Sequence, residues 1–367
     1  MGKEKTKSYH ILTVGVFILL TVGLFIMNLT LKKPDILLSE RRVPEKLPEL
    51  SYSSVTTGSF MRKFENYATD NFSKRDSFRT VKSFTIFDIY FMEDKDGLYR
   101  KGSVAGEFKY MDEKAIVETI RKISRVADSI DGINIYYSIV PDKSNYLDEY
   151  LFSFDMKRVE NLLHDSLDRY TYIPIEDYLS FDSYYKTDIH WNQSRIENVA
   201  IEIGKAMGAE VDLTDYKLEY AGDFYGIYKG QLALPMEADR MEYLSSTNLT
   251  AAVFNPETME YEECPVYDLG PNGFSNPDPY SIFLEGVTAL VTIENNTLPE
   301  RELYLFRDSY GSSIAPLLAG GYSKITLIDL RYIDARALNQ VLEFDEYSDI
   351  LFLYSAQILN NPSLLKA

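Results

Sequence analysis

From Ile11 to Leu31 the chain reads ILTVGVFILLTVGLFIMNLTL without one Asp, Glu, Lys or Arg. A helix of about 20 such residues covers the roughly 30 Å of hydrocarbon in a bilayer. A core helix of a soluble domain would carry a polar face, and none is spaced into this stretch. Lys3, Lys5 and Lys7 give the basic start of a signal peptide, but the apolar run is too long for one and no A-x-A-like site follows. The segment is therefore expected to be a retained signal anchor. Residues 1–10 are then a cytoplasmic tail, and everything beyond residue 31 lies outside a cell membrane crossed once. Lys32, Lys33, Arg41 and Arg42 stand beyond the span and compete with the N-terminal lysines under the positive-inside rule.

Charge narrows the partners. The chain has 38 Lys and Arg against 56 Asp and Glu, a formal net of −18. Residues 1–31 contain three Lys and one Glu, so the outer part carries −20. Binding nucleic acid through phosphates needs a basic face to displace counterions, which excludes that class. The same acidity makes a polyanionic glycan a poorer ligand than a neutral or amino-bearing one. With Cys264 as the one cysteine, no disulfide can close within the chain and no thiolate zinc site can form. No H-E-x-x-H, P-loop or strand-borne G-x-G-x-x-G is present. Neither a metal nor a cofactor is expected.

Pro34, Pro44 and Pro48 among charged residues predict an extended stalk over 32–56. Residues 57–93 place Phe60, Phe64, Tyr67, Phe72, Phe78, Val81 and Phe84 mostly at helical spacing. Asp96-Gly97 is a turn leading to short strands around Leu98 and Tyr99. Ile116, Ile120, Ile123, Val126 and Ala127 predict a helix over 112–130 stopped by Asp131-Gly132, and INIYYSIVP (133–141) a buried strand. Strand and helix alternate again near the C-terminus: strands over 302–306, 324–330 and 350–354, helices over 309–318 and 335–342. That order predicts an α/β domain over 57–367 built on a mostly parallel sheet, with helices on both faces. Ligands in such sheets bind at the carboxyl ends of the strands. Residues 208–279, rich in Tyr, Pro, Gly and Glu and without clear periodicity, are expected to be an insertion or lid.

Two segments carry candidate chemistry. In KTDIHWN (186–192), an extended backbone would turn Asp188 and His190 to one side and Ile189 to the other. Asp188 can then orient the ring of His190, although a hydrogen-bonded structural histidine has the same pattern. In LFRDSYGSS (305–313) an apolar strand turns abruptly into a helix at Ser309. A hydroxyl there is exposed beside the free N–H groups of the helix start, which can stabilise an oxyanion. The competing role for Asp308 or Ser309 is a helix N-cap. Lys143, Arg307, Tyr310 and Trp191 flank these points and are candidate substrate contacts, with packing as the alternative for each.

KTDIHW, followed about a hundred residues later by LFRDSYGSSIAPLL and ITLIDLRYI, resembles the DHHW family of bacterial surface proteins. That family is similar in turn to the alginate O-acetyltransferase-like branch of the SGNH/GDSL hydrolase superfamily. FENYATDNFSKRDSF, the strand ending in Val140-Pro141-Asp142-Lys143, GDFYGIYKG (222–230) and YSIFLEG (280–286) extend the resemblance over most of the chain after the span. It implies an SGNH-hydrolase-like three-layer α/β/α fold. It also implies Ser309 as nucleophile, His190 as general base and Asp188 as orienting acid, with Asp and His ahead of Ser in the chain. Ile189 stands where the family usually has histidine, and is expected to point away from the Asp188–His190 face. The implied activity is that of an O-acetyltransferase or acetylesterase acting on a cell-surface or secreted glycan, with a membrane protein as acyl donor. The alternative is a non-catalytic glycan-binding or scaffold protein with the same fold.

Overall fold

The apolar N-terminal run forms α1 (Gly2–Thr30) in the computed structural model, which describes residues 2–367 apart from 38, 41, 109, 131–132, 148–153, 272–273 and 275–277. The helix stop expected at Asp131-Gly132 thus lies outside the described residues. From Tyr9 to Thr30, α1 is long and apolar enough to cross a membrane, and none of that stretch is buried within the protein.

The chain divides into two compact units, Met1–Lys95 with Lys229–Pro235, and Asp96–Tyr228 with Met236–Ala367. This differs from the single domain expected over 57–367, because the helices before residue 95 group with α1. In the first unit α1 is followed by α2 (Tyr52–Thr56), α3 (Ser59–Asp70) and α4 (Arg75–Phe84), the last running into a π turn over Thr85–Ile89. Residues 229–235 join it through Arg79, which donates to the Gly230 and Gln231 carbonyls at 2.9 Å each. The expected stalk is not a free spacer. Leu37 bridges to Arg42, the Arg42 guanidinium grips buried Asp70 at 2.6 and 2.7 Å, and Glu45 N donates to the same carboxylate. Prolines straighten the segment, but these charge-assisted bonds hold it against α3.

The second unit opens with the hairpin β1 (Leu98–Lys101) and β2 (Val104–Glu107). There follow α5 (Glu113–Ala127), β3 (Asn134–Val140), α6 (Met156–Leu167), β4 (Thr171–Tyr172), α7 (Glu197–Ala206), β5 (Lys217–Phe224) and the start of α8 (Ile227–Leu232), whose residues from Lys229 belong to the first unit. Next come β6 (Asp239–Ser245), β7 (Leu249–Asn255), β8 (Glu260–Cys264), β9 (Leu290–Asn295) and β10 (Glu302–Arg307). The chain closes with α9 (Ser309–Leu318), β11 (Lys324–Ile328), α10 (Leu338–Val341), β12 (Asp349–Ser355) and α11 (Ala356–Leu359). The predicted stripe makes α5: Asp112 caps it by accepting from Lys114 N and Ala115 N, and Ile116, Ile120 and Ile123 are buried.

The large sheet has eight strands in the order β4-β3-β12-β10-β11-β9-β7-β8. The first five are parallel, and the last three join antiparallel. Alternation along β10 sends Leu303 and Leu305 into one core with α7 and α9, and Tyr304 and Phe306 into another with α5 and α6. Each such side chain, fully buried, contributes about 1.5–3 kcal/mol. The expected lid is instead sheet: β5 and β6 pair with each other, while β7 and β8 extend the large sheet to its antiparallel edge. Half-exposed edge strands such as β8 bury no regular face, so their periodicity is faint in the sequence. At β10 and β12 the order reverses: β10 continues through α9 to β11 on one side, while β3 leads to β4 on the other. The carboxyl ends at this switch hold Asp308, Ser309 and Ser355.

Candidate active site

The turn after β10 is built by Asp308. One carboxylate oxygen accepts from Tyr310 N at 2.9 Å and the other from Ser355 N at 2.8 Å, tying the start of α9 to the end of β12. Asp308 is thus the N-cap, and Ser309, the first residue of α9, is left free for other work. The turn is tight: a Cβ on Gly311 would lie 2.3 Å from Arg307 Cβ, so only glycine lets the helix fold back this closely on its strand.

Asp188 and His190 stand on a bend, not on the extended segment expected. The loop is closed by a Tyr184–Trp191 bridge and by Tyr185 N donating to His190 O. Lys143 fills it from within, its Nζ donating to Tyr185 O at 3.0 Å and Asp188 O at 2.8 Å. Complete burial pushes this ammonium down to about 8, against the pull of Asp142, Asp188 and Asp239. From the other side, Asp239 accepts from Lys186 N, Thr187 N and Thr187 Oγ1. Burial raises the Asp239 carboxyl above its usual range, although these bonds oppose it. Thr187 Oγ1 in turn accepts from Gly226 N at 2.7 Å. A Cβ at Gly226 would lie 2.3 Å from Thr187 O and 2.4 Å from Asp188 Cα.

This packing fixes three side chains in a line. The buried Asp188 carboxylate meets His190 Nδ1 at 2.7 Å, and its second oxygen accepts from Ile227 N at 3.1 Å. His190 Nε2 lies 2.8 Å from Ser309 Oγ. With a carboxylate on Nδ1, the hydrogen-bond partners assign the proton to that nitrogen and leave Nε2 as acceptor for the serine hydroxyl. The imidazole stacks on Tyr280 with centroids 3.7 Å apart and planes 5° from parallel. Tyr280 Oη and Trp191 Nε1 both donate to Ser313 Oγ, at 2.6 and 2.7 Å, which itself donates to Tyr310 O. The Tyr310 hydroxyl donates to Ile189 O. Both the ring and the helix that presents Ser309 are therefore braced by one buried network. Such an arrangement can move the Ser309 proton to His190 and leave an oxygen nucleophile.

A cavity of about 450 Å³ opens on Ser309 and His190. Of the expected substrate contacts, Tyr310 lines it. Lys143, Trp191 and Arg307 are fully buried and do not line it: the first two brace the site, and Arg307 turns inward to Asp329 at 3.1 Å. The guanidinium that reaches the cavity is Arg331, held by the same Asp329 at 2.6 Å. The sequence points to Arg307 at the strand end, but the next strand's LIDLRYI supplies the accessible guanidinium. Ile189 also corrects the expectation, because the bend turns it into the cavity wall beside His190. Gln357, Asn360 and Asn361, from the C-terminal segment, supply a polar wall that no motif announced. Gly226 and Ile227, which support Asp188, lie within GDFYGIYKG.

Fold and site together define an α/β protein with a serine, histidine and aspartate in line at the strand ends of a mostly parallel sheet. Among solved structures, the chain is similar to a DHHW family protein from Eubacterium siraeum DSM 15702, with a TM-score of 0.61 and 17% identity, covering 74% of this chain and 94% of that one. It is also similar to PatB1 of Bacillus cereus, with a TM-score of 0.56 and 17% identity over 74% of this chain and 99% of that one. PatB1 with a sulfonyl adduct gives 0.55 and 17% over 72% and 96%. At this identity the likeness is one of fold, and its direction agrees with the DHHW resemblance read from the sequence. No protein-family model and no curated protein matches the chain.

Proposed function

We propose that this chain is a membrane-anchored, extracytoplasmic acyl-transfer enzyme of the SGNH type with a three-layer α/β/α domain. It acts as an O-acetyltransferase or acetylesterase on a cell-surface or secreted glycan. The observation that carries the reading is the unbroken line Asp188–His190–Ser309, with hydrogen bonds of 2.7 and 2.8 Å at the floor of an open cavity.

In the reaction, His190 Nε2 takes the hydroxyl proton as Ser309 Oγ attacks the ester carbonyl. Asp188 stabilises the imidazolium that forms. The amide of Ser309, at the first position of α9 where a helix leaves its N–H groups without an intrahelical partner, is the donor assigned to the developing oxyanion. Collapse expels the alcohol, which takes its proton from His190, and leaves acetyl-Ser309. A sugar hydroxyl or water then gives its proton to His190 and attacks, and the serine is regenerated. Arg331 and the amides of Gln357, Asn360 and Asn361 offer donors to a hydroxyl-rich acceptor. The sulfonyl adduct of the similarly folded PatB1 is further support, since sulfonylation is a reaction of activated nucleophiles. A membrane protein that delivers the acyl group is the partner this scheme calls for.

The test is acetate release from aryl and sugar acetates by the full chain in detergent. Ser309→Ala is expected to abolish it. Equal activity in the variant, or none in either protein across several esters, would favour a glycan-binding role instead.

A further inference from the structure

An amphipathic helix ordinarily buries its apolar stripe. α3 and α4 do the reverse. Their buried residues are Asp70 and Ser83, whereas Met61 and Phe64 of α3, and Phe78, Val81 and Phe84 of α4, are exposed. Val81 is 62% and Phe78 48% exposed. A groove of about 580 Å³ runs between the two helices past Phe72, Phe78 and the basic side chains Arg75, Arg79 and Lys82. An uncovered apolar face of this kind marks an interaction surface.

Its position relative to α1 says what covers it. Ser73, in the connection between α3 and α4, donates from its hydroxyl to Met27 O at 3.2 Å and from its backbone to Asn28 Oδ1 at 3.1 Å. Lys33 Nζ joins Asn28 O and Asn71 O, at 2.8 Å each. The connection is therefore pinned to the last turn of the apolar helix, where a bilayer gives way to water. Charge agrees. Residues 32–95 hold 12 Lys and Arg against 10 Asp and Glu, a net of +2, while residues 96–367 hold 23 against 45, a net of −22. This is the non-acidic part of an otherwise strongly acidic exterior, with basic residues beside exposed aromatics, as in helices that lie in a membrane interface.

We propose that the α3–α4 face rests in the phospholipid headgroup and upper acyl region of the membrane that α1 crosses. The proposal rests on the reading of α1 as a span. Phe72, Phe78 and Val81 enter the lipid, and the exposed lysines Lys74 and Lys82 meet anionic headgroups.

The test uses the full chain with Cys264→Ser, reconstituted in bilayers containing phosphatidylglycerol. Single cysteines at Leu19→Cys, Phe78→Cys and, as a control on the second unit, Tyr347→Cys carry an environment-sensitive fluorophore. Lipids brominated near the headgroup or near the chain end serve as quenchers. The expected result is quenching of the Leu19 label by deep bromines, of the Phe78 label by shallow bromines, and of the exposed Tyr347 label by neither. A quenched Leu19 label with an unquenched Phe78 label overturns the proposal and leaves the span intact; a Phe78 label shielded only at high protein density would assign the face to a second copy. An unquenched Leu19 label refutes the span itself, and the proposal with it.

Discussion

Replacing Asp188 by Asn changes one atom of the site and tests the proposed role of its charge. The carboxylate is buried and serves donors on both oxygens: His190 Nδ1 at 2.7 Å on one and Ile227 N at 3.1 Å on the other. An amide offers one acceptor only. If its oxygen stays toward His190, the NH₂ faces the Ile227 N–H, and an unsatisfied buried donor costs about 1–3 kcal/mol. If the amide turns over, its N–H faces Nδ1, the imidazole proton moves to Nε2, and Ser309 loses its base. The imidazolium also loses its counter-charge in either case. In a serine triad the equivalent change leaves geometry intact and lowers kcat about 10⁴-fold, or about 5.5 kcal/mol of barrier. The assay is kcat for an aryl acetate with the full chain in detergent, with KM and circular dichroism followed alongside. A fall of about 10⁴ in kcat with little change in KM is expected. A folded Asp188→Asn protein with kcat within about tenfold of the parent would refute the assignment of Asp188 as the orienting acid.

Gly226→Ala places a methyl within 2.4 Å of Thr187 O and Asp188 Cα and must shift the loop that aims Asp188. A displacement near 1 Å at a catalytic group costs about 10²-fold, so kcat is expected to drop by about that factor with the fold retained, and an unchanged kcat would show that the loop yields freely. Lys143→Met removes a buried ammonium held down to about 8. The unfolded chain binds this proton up to its ordinary value near 10.5, so wild-type stability relative to the variant should rise by about 3 kcal/mol between pH 7.5 and 10.5 and be lost again as pH falls through 8. Denaturant unfolding of both proteins across that range checks it, tyrosine titration being common to the two; a flat difference would contradict it.

The parts of the fold legible in the sequence were those with one buried face or two. Ile116, Ile120 and Ile123 betray α5, and continuous apolar runs betray β10 and β12, because burial on both faces removes alternation. The edge strand β8 and its neighbour β7 keep much of their surface in water, so 208–279 reads as irregular. Candidate site residues were legible where chemistry is local. Asp308, Ser309 and Gly311 form one strand-to-helix turn, and Asp188 and His190 lie two residues apart. What escaped depends on contacts between distant segments. Gly226 matters because its backbone presses on Asp188, 38 positions earlier. Arg331 reaches the cavity because Asp329, at the end of the neighbouring strand, leaves Arg307 buried and holds Arg331 at the rim. Ile189 entered the cavity wall because a bend closed by Lys143 replaced the extended backbone that alternation assumes.

Everything proposed for the site depends on Ser309 being a nucleophile activated by His190. A fluorescent sulfonyl fluoride, applied to the wild-type chain and to His190→Ala and followed by peptide mass spectrometry, measures this directly. The expected outcome is stoichiometric labelling on the peptide that contains Ser309 in the wild type and loss of that label in His190→Ala. Labelling elsewhere, or equal labelling of Ser309 in both proteins, would contradict it.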